Sequence, residues 1–155
     1  MAKKPRTKAR PGKSTGAVRR RAPTVIALLL CEGLGHDAST GKFTLYGIFD
    51  RVPWQGEQPL RRPLCIYARF VDGVGKQRMS FEILGPNGKP IPLGHEGQEV
   101  EFKAGMAVDA ASYLGAINLP VKGDYSIFAT ADGVRIGNPF KFSAAPIDNL
   151  LQGRK

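Results

Sequence analysis

Acidic residues are missing from one end of this sequence: residues 1–22 contain none. The same stretch has no aromatic residue, and Val18 is its only sizeable aliphatic. Histidine and cysteine are scarce throughout, at two each. Two cysteines, Cys31 and Cys65, are too few for a disulfide framework, and no C-x-x-C occurs. Each sits in an apolar run, VIALLLC or PLCIYARF, where a thiol behaves as a small hydrophobe. A single disulfide in an exported protein is the alternative. No run approaches the roughly 20 apolar residues of a membrane-spanning helix. The run Val25–Leu30 after a basic stretch mimics a secretory signal, but it ends in Cys31-Glu32 with no A-x-A cleavage site. Arg19-Arg20-Arg21 resembles a twin-arginine signal, yet Ala22-Pro23 follows where large apolar residues belong. A soluble protein of the cytoplasm is expected, with no membrane partner.

What is present divides the chain sharply. Of its 155 residues, the first 22 hold nine cations: Lys3, Lys4, Arg6, Lys8, Arg10, Lys13, Arg19, Arg20 and Arg21. Residues 23–155 hold 14 cations against 13 acids, so their formal charge is only +1. Pro5, Pro11, Gly12 and Gly16 interrupt any helix in the first segment. So little apolar surface cannot offset ordering entropy, and residues 1–22 are expected to form a disordered basic arm. Residues 23–146 then form one domain, followed by a short C-terminal tail over 147–155, with a last helical turn at Leu150-Leu151.

The domain reads as strands punctuated by turns. Thr24–Cys31 is a continuous apolar run, as in a strand buried on both faces. His36–Lys42 is turn chemistry. Lys42–Val52 alternates, with Phe43, Leu45, Gly47 and Phe49 on one face. Strands follow at Pro63–Asp72, Lys76–Leu84, Gln98–Lys103, Ala107–Leu119, Asp124–Ala131 and Val134–Phe142. Gly85-Pro86-Asn87-Gly88 and Asp132-Gly133 supply turns. No amphipathic helix of about ten residues or more lies between them, so parallel crossovers are ruled out. The fold class expected is all-β, an antiparallel, immunoglobulin-like β-sandwich of eight or nine strands, with a β-barrel as the alternative. Gly123-Asp124-Tyr125-Ser126-Ile127 resembles the tyrosine corner of such sandwiches, whose hydroxyl bonds back to upstream backbone. Trp54 is either an exposed contact or a cover over the open end of the sandwich.

Chemical motifs fail at identifiable points. Gly33-Leu34-Gly35-His36-Asp37-Ala38 fits G-x-G-x-x-A, but no helix follows to hold a pyrophosphate, so a glycine-rich connector is expected. Gly41-Lys42 lacks both the first glycine and the hydroxyl residue of a phosphate loop. His36 and His95 have no partner at metal-ligand spacing and read as surface loop residues. A Cys–His nucleophile pair would need a reactive thiol, and both cysteines read as buried. Glu96, Glu99 and Glu101 cluster in sequence, as a solvated face or a weak Ca²⁺ site. No cofactor is implied.

Residues 23–143 resemble an uncharacterised family of small bacterial β-sandwich domains. The likeness rests on Val25–Cys31, on Leu45-Tyr46-Gly47-Ile48-Phe49-Asp50-Arg51-Val52, on Cys65–Val71 and on Phe81–Gly88. It continues through Asn118-Leu119-Pro120, Gly123-x-Tyr125-x-Ile127, Asp132-Gly133 and Pro139–Phe142. The resemblance implies a bacterial β-sandwich and transfers no catalytic residue. The basic arm is not part of the shared pattern.

The arm carries the functional expectation. Its cations would neutralise phosphates of DNA or RNA, giving salt-dependent, sequence-independent binding. Without aromatics it cannot stack on unpaired bases. An anionic membrane or acidic protein, or no partner at all, are the other readings of the arm. The module as a whole is expected to be non-enzymatic. The alternatives are a self-assembling coat or shell subunit, hence a homo-oligomer, and an enzyme with a loop-built site around Asp37, Asp50 or Glu96.

Overall fold

The computed structural model describes residues 20–54, 56, 60–94 and 96–146. The arm up to Arg19, His95 and the tail from 147 lie outside them. Among the described residues there is no helix, and ten strands pack as two sheets. In chain order they are β1 (Thr24–Asp37), β2 (Lys42–Ile48), β3 (Arg51–Trp54), β4 (Leu60–Val71) and β5 (Gly75–Leu84). Then come β6 (Pro90–Ile91), β7 (Gln98–Phe102), β8 (Val108–Leu119), β9 (Gly123–Ala131) and β10 (Val134–Pro146). One sheet has the order β2-β1-β4-β8. The other runs β3-β10-β9-β5-β6, with β7 also paired to β5. All pairs are antiparallel except β3 with β10.

The core lies where the two sheets face each other. Leu28, Leu30, Leu64, Ile66, Phe70, Leu114 and Ile117 come from the four-stranded sheet. They meet Met79, Ile83, Phe102, Tyr125, Ile127 and Phe142 from the other. Each large side chain buried there contributes about 1.5–3 kcal/mol relative to exposure. The tyrosine corner is present: the Tyr125 hydroxyl donates to the Val121 carbonyl and accepts from the Val121 amide. Trp54 is a cover, buried at the end of β3, with its indole N–H donating to the Gly56 carbonyl at 2.9 Å.

Three departures from the expected strand pattern have physical causes. The run Lys42–Val52 is two strands, not one. β2 ends at Ile48, the Phe49 amide still bonds the Leu30 carbonyl, and the Asp50 carbonyl already accepts from Ser143 of β10. The chain therefore changes sheets at Phe49–Asp50. With the short β6, this raises eight or nine strands to ten.

Gly33–Asp37 is strand rather than connector, because Gly33 pairs with Tyr46 and Gly35 with Thr44. The Tyr46 ring crosses both glycines, and a Cβ at Gly35 would sit 3.2 Å from it. Glycine is here a floor for an aromatic ring, not a loop signal. Continuous burial on both faces belongs to β4, whose residues 64–68 are all buried. In β1 a bulge between Val25 and Ala27 leaves Ile26 exposed. The opposite distortion sits in β10, at the register shift between Ile136 and Phe140. Gly137 there has φ 67°, and a Cβ would come 2.9 Å from that of Val25.

β1 must also bend. His36 lies seven residues beyond Leu29, which pairs with Tyr67. A straight strand would carry it about 24 Å past that point. Yet Phe43, the partner of His36, has its ring 5.9 Å from that of Tyr67. The β1–β2 hairpin therefore turns back, and His36 and Phe43 share a recess with Val108–Ala111 of β8.

Candidate interaction surface

The arm is rooted by backbone pairing. Arg21 exchanges hydrogen bonds with Val74, amide to carbonyl in both directions, at 3.1 and 3.0 Å. Gln77, almost wholly buried, donates to the Arg21 carbonyl at 2.6 Å. The Arg21 guanidinium donates to the Asp72 carbonyl at 2.6 Å and lies 3.8 Å from the Asp72 carboxylate. Arg21 is thus the anchor of the arm, with its charge turned toward an acid. Arg20 is exposed and makes no salt bridge to a described residue. Lys3, Lys4, Arg6, Lys8, Arg10, Lys13 and Arg19 lie outside the described residues.

On the outward face of the larger sheet, three cations are paired with acids. Arg135 forks onto the Glu82 carboxylate at 2.6 and 2.9 Å while lying 4.6 Å over the Phe128 ring. That contact holds the Glu82 carboxyl below its usual range. Arg78 pairs with Glu96 at 2.8 Å and Lys76 with Glu99 at 3.1 Å. Exposed pairs of this kind add about 0–1 kcal/mol each, and Arg51 and Lys141, exposed on the same sheet, make no salt bridge to a described residue. Alternation holds along β7: Glu99 and Glu101 are exposed, while Phe102 is buried. With two of the three glutamates paired to cations, this edge is a solvated face. No group of three potential metal ligands occurs among the described residues.

The acids considered for a loop-built site sit on separate elements. Glu96 is held by Arg78, and Asp50 marks the change of sheet. Asp37 closes the β1–β2 turn. Its carboxylate accepts from the Ser39 amide and hydroxyl at 2.8 and 2.7 Å, and from the Thr40 hydroxyl at 2.7 Å. These bonds lower its pKa from 3.8 to about 2. A depressed folded pKa means that the turn's stabilisation is complete above pH 3.8 and is lost as pH falls through about 2. The amide resonances of Ser39 and Thr40 should therefore shift between these two values. Insensitivity there would show that the carboxylate does not cap the turn.

The outward face of the four-stranded sheet is different in kind. Ile48, Cys31, Cys65 and Tyr113 form one cross-strand row through the registers of β2, β1, β4 and β8. Tyr46, Ile48 and Tyr113 are all more than half exposed, whereas the two cysteines between the latter pair are buried. Burial raises both thiol pKa values, and Cys65 raises that of Cys31 further. At the far end of this face the Tyr67 hydroxyl donates to Asp109 at 2.8 Å, and Arg69 lies 3.7 Å from the same carboxylate. Burial is the main cause that raises the Tyr67 pKa, with Asp109 adding to it.

The cleft between β8 and the β5–β7 edge measures about 130 Å³, below the roughly 300–1,000 Å³ of small-molecule sites, whereas the open recess of His36 and Phe43 against β8 measures about 500 Å³. No described helix is long and apolar enough to cross a membrane. The cysteine row and the exposed tyrosines were not among the sequence-predicted site residues. The available signal was PLCIYARF, apolar at both alternating positions, which marks a strand covered on both sides.

Compared with known proteins, the sequence matches the model of a family of unknown function (DUF6941) over residues 26–139. The match begins past the arm. No curated protein matches the chain.

Proposed function

The chain belongs to that family of unknown function, and from this premise we propose a non-enzymatic β-sandwich module that an N-terminal arm tethers to nucleic acid in the cytoplasm. The observation that carries the reading is the charge split: nine cations and no acid in residues 1–22, against +1 over the remainder. Two structural facts support it. Three of the larger sheet's outward cations, Lys76, Arg78 and Arg135, are paired with acids, and the arm joins the body at a fixed point, Arg21 on Val74 and Asp72. Tethered this way, the arm engages phosphate through counterion release, which requires no base recognition.

The test removes residues 1–19 and keeps the Arg21 anchor. Full-length protein should bind labelled duplex DNA or RNA with steep salt dependence, and the truncated form should lose that binding while unfolding at the same temperature. Equal binding by both forms, or none by either at physiological salt, would reject the tether. A coat-subunit reading is favoured by one observation, the exposure of three large side chains, Tyr46, Ile48 and Tyr113, on the four-stranded sheet. Size-exclusion chromatography at high salt separates the two, since a coat subunit should elute as large assemblies.

A further inference from the structure

Cys31 and Cys65 are 34 residues apart in sequence and directly opposed in the β1–β4 ladder. Opposed residues of antiparallel strands have Cα atoms about 4.5 or 5.5 Å apart, depending on the type of pair. A disulfide accepts about 4.4–6.8 Å between Cα atoms, so both types lie within its span, the closer non-hydrogen-bonded pair needing the least adjustment. Alternation places both side chains on one face, since Leu30, Leu64 and Ile66 point into the sandwich core. Each sulfur also reaches across to the opposite strand. Cys31 Sγ lies 3.6 Å from the Cys65 carbonyl oxygen, and Cys65 Sγ lies 3.8 Å from that of Glu32. The chain has no other cysteine to compete.

We infer that Cys31 and Cys65 form a reversible dithiol–disulfide couple, a modification site whose co-substrate is a small-molecule disulfide such as oxidised glutathione. One protein thiolate attacks a sulfur of the oxidised glutathione, forming a mixed disulfide and releasing one glutathione thiolate. The second protein thiolate then attacks the protein-side sulfur and releases the other. The two thiol protons end on the two glutathiones. The protein loses two protons and two electrons, and one glutathione disulfide is reduced.

The place in the fold explains how buried thiols meet an oxidant. Cys31 is the last β1 residue paired with β4, and its partner across β1 is Ile48, the last residue of β2. The couple therefore sits at the joint where the hairpin leaves the sheet. Fraying one ladder end exposes it, a far smaller opening than global unfolding. Until then burial keeps the thiols protonated and unreactive. Once formed, the bond fastens β1 to β4 at that joint and fixes the hairpin that carries Tyr46 and Ile48.

The test equilibrates full-length protein in glutathione buffers of graded ratio, starting from native reduced protein and, separately, from urea-unfolded protein refolded in the same buffers. After capping with N-ethylmaleimide, intact mass should move from two caps to none, with the loss of two hydrogens, as the buffer becomes more oxidising. The oxidised form should melt several degrees higher. Cys31→Ala and Cys65→Ala should each retain one capped thiol and lose the oxidant-dependent shift in melting. A couple that forms only on refolding still supports the inference and shows that native access is slow. Two caps at every ratio from both starting points would overturn it, as would persistent glutathione adducts or a melting shift that survives in either variant.

Discussion

Tyr125→Ala is expected to destabilise the domain by about 3–5 kcal/mol, the range for deleting a fully buried aromatic side chain. Total stabilities are about 5–15 kcal/mol, so this is about a third to a half of a mid-range value. The ring has no solvent exposure and stacks on Phe142, its direct partner in the β9–β10 register, with centroids 5.1 Å apart and planes 18° apart. Phe142 is itself buried, so truncation leaves a void that a neighbouring aromatic cannot fill without leaving its own strand position. Tyr125→Phe separates the two parts of the effect. It keeps the stack and removes only the hydroxyl, leaving the Val121 carbonyl and amide short of a partner at a cost of about 1–2 kcal/mol. Urea denaturation should show both losses as lower midpoints at unchanged slope. A neutral phenylalanine variant would mean that water replaces the hydroxyl at Val121. Burial also raises the Tyr125 pKa above its ordinary 10.0. A raised folded pKa gives stability that is complete below pH 10 and lost as pH rises through the folded value. The phenylalanine variant should lack that part of the alkaline loss.

Where the determinant was local, the sequence was readable. Asp132-Gly133 makes a two-residue hairpin because both positions take positive φ, 49° and 79°. The alternation on either side of it places β9 and β10 without reference to anything distant. The G-x-Y pattern likewise implied a bond from Tyr125 to upstream backbone, and that bond exists, to Val121.

What was not readable depends on which strands become neighbours. Lys42–Val52 has one unbroken alternation, and nothing local marks Asp50 as the point where the backbone partner changes from Leu30 to Ser143. Gly33 and Gly35 resemble a connector until Tyr46 is known to lie across them. The same holds for function. Net charge is additive, so the arm could be counted from composition alone. The opposition of Cys31 and Cys65 is a register fact between non-consecutive strands, and no spacing rule discloses it. The three glutamates left a solvated face and a weak cation site both open in the sequence, and the fold favours the first by giving two of them to Arg78 and Lys76.

Replacing Lys3, Lys4, Arg6 and Lys8 with glutamine should roughly halve the salt dependence of DNA binding. Each phosphate neutralised on duplex DNA contributes about −0.9 to the slope of log K against log salt. Setting aside Arg21, which faces Asp72, eight arm cations remain, and full engagement gives a slope of about −7. Between 50 and 200 mM salt that slope corresponds to about a ten-thousandfold loss of affinity, and the four-glutamine variant to about a hundredfold loss. Arg21→Gln makes the opposite case. It should leave the slope unchanged while lowering stability by about 1 kcal/mol, because the side chain serves the Asp72 contact. If its slope instead falls by a full unit, Arg21 must exchange Asp72 for phosphate on binding. An arm of identical composition in scrambled order should reproduce the wild-type slope, and a loss of affinity in that variant would contradict a sequence-independent tether. Single strands provide a last check. Residues 1–22 contain no aromatic side chain to stack on bases, so the slope there should fall only to about −0.7 per phosphate, without a compensating gain in affinity.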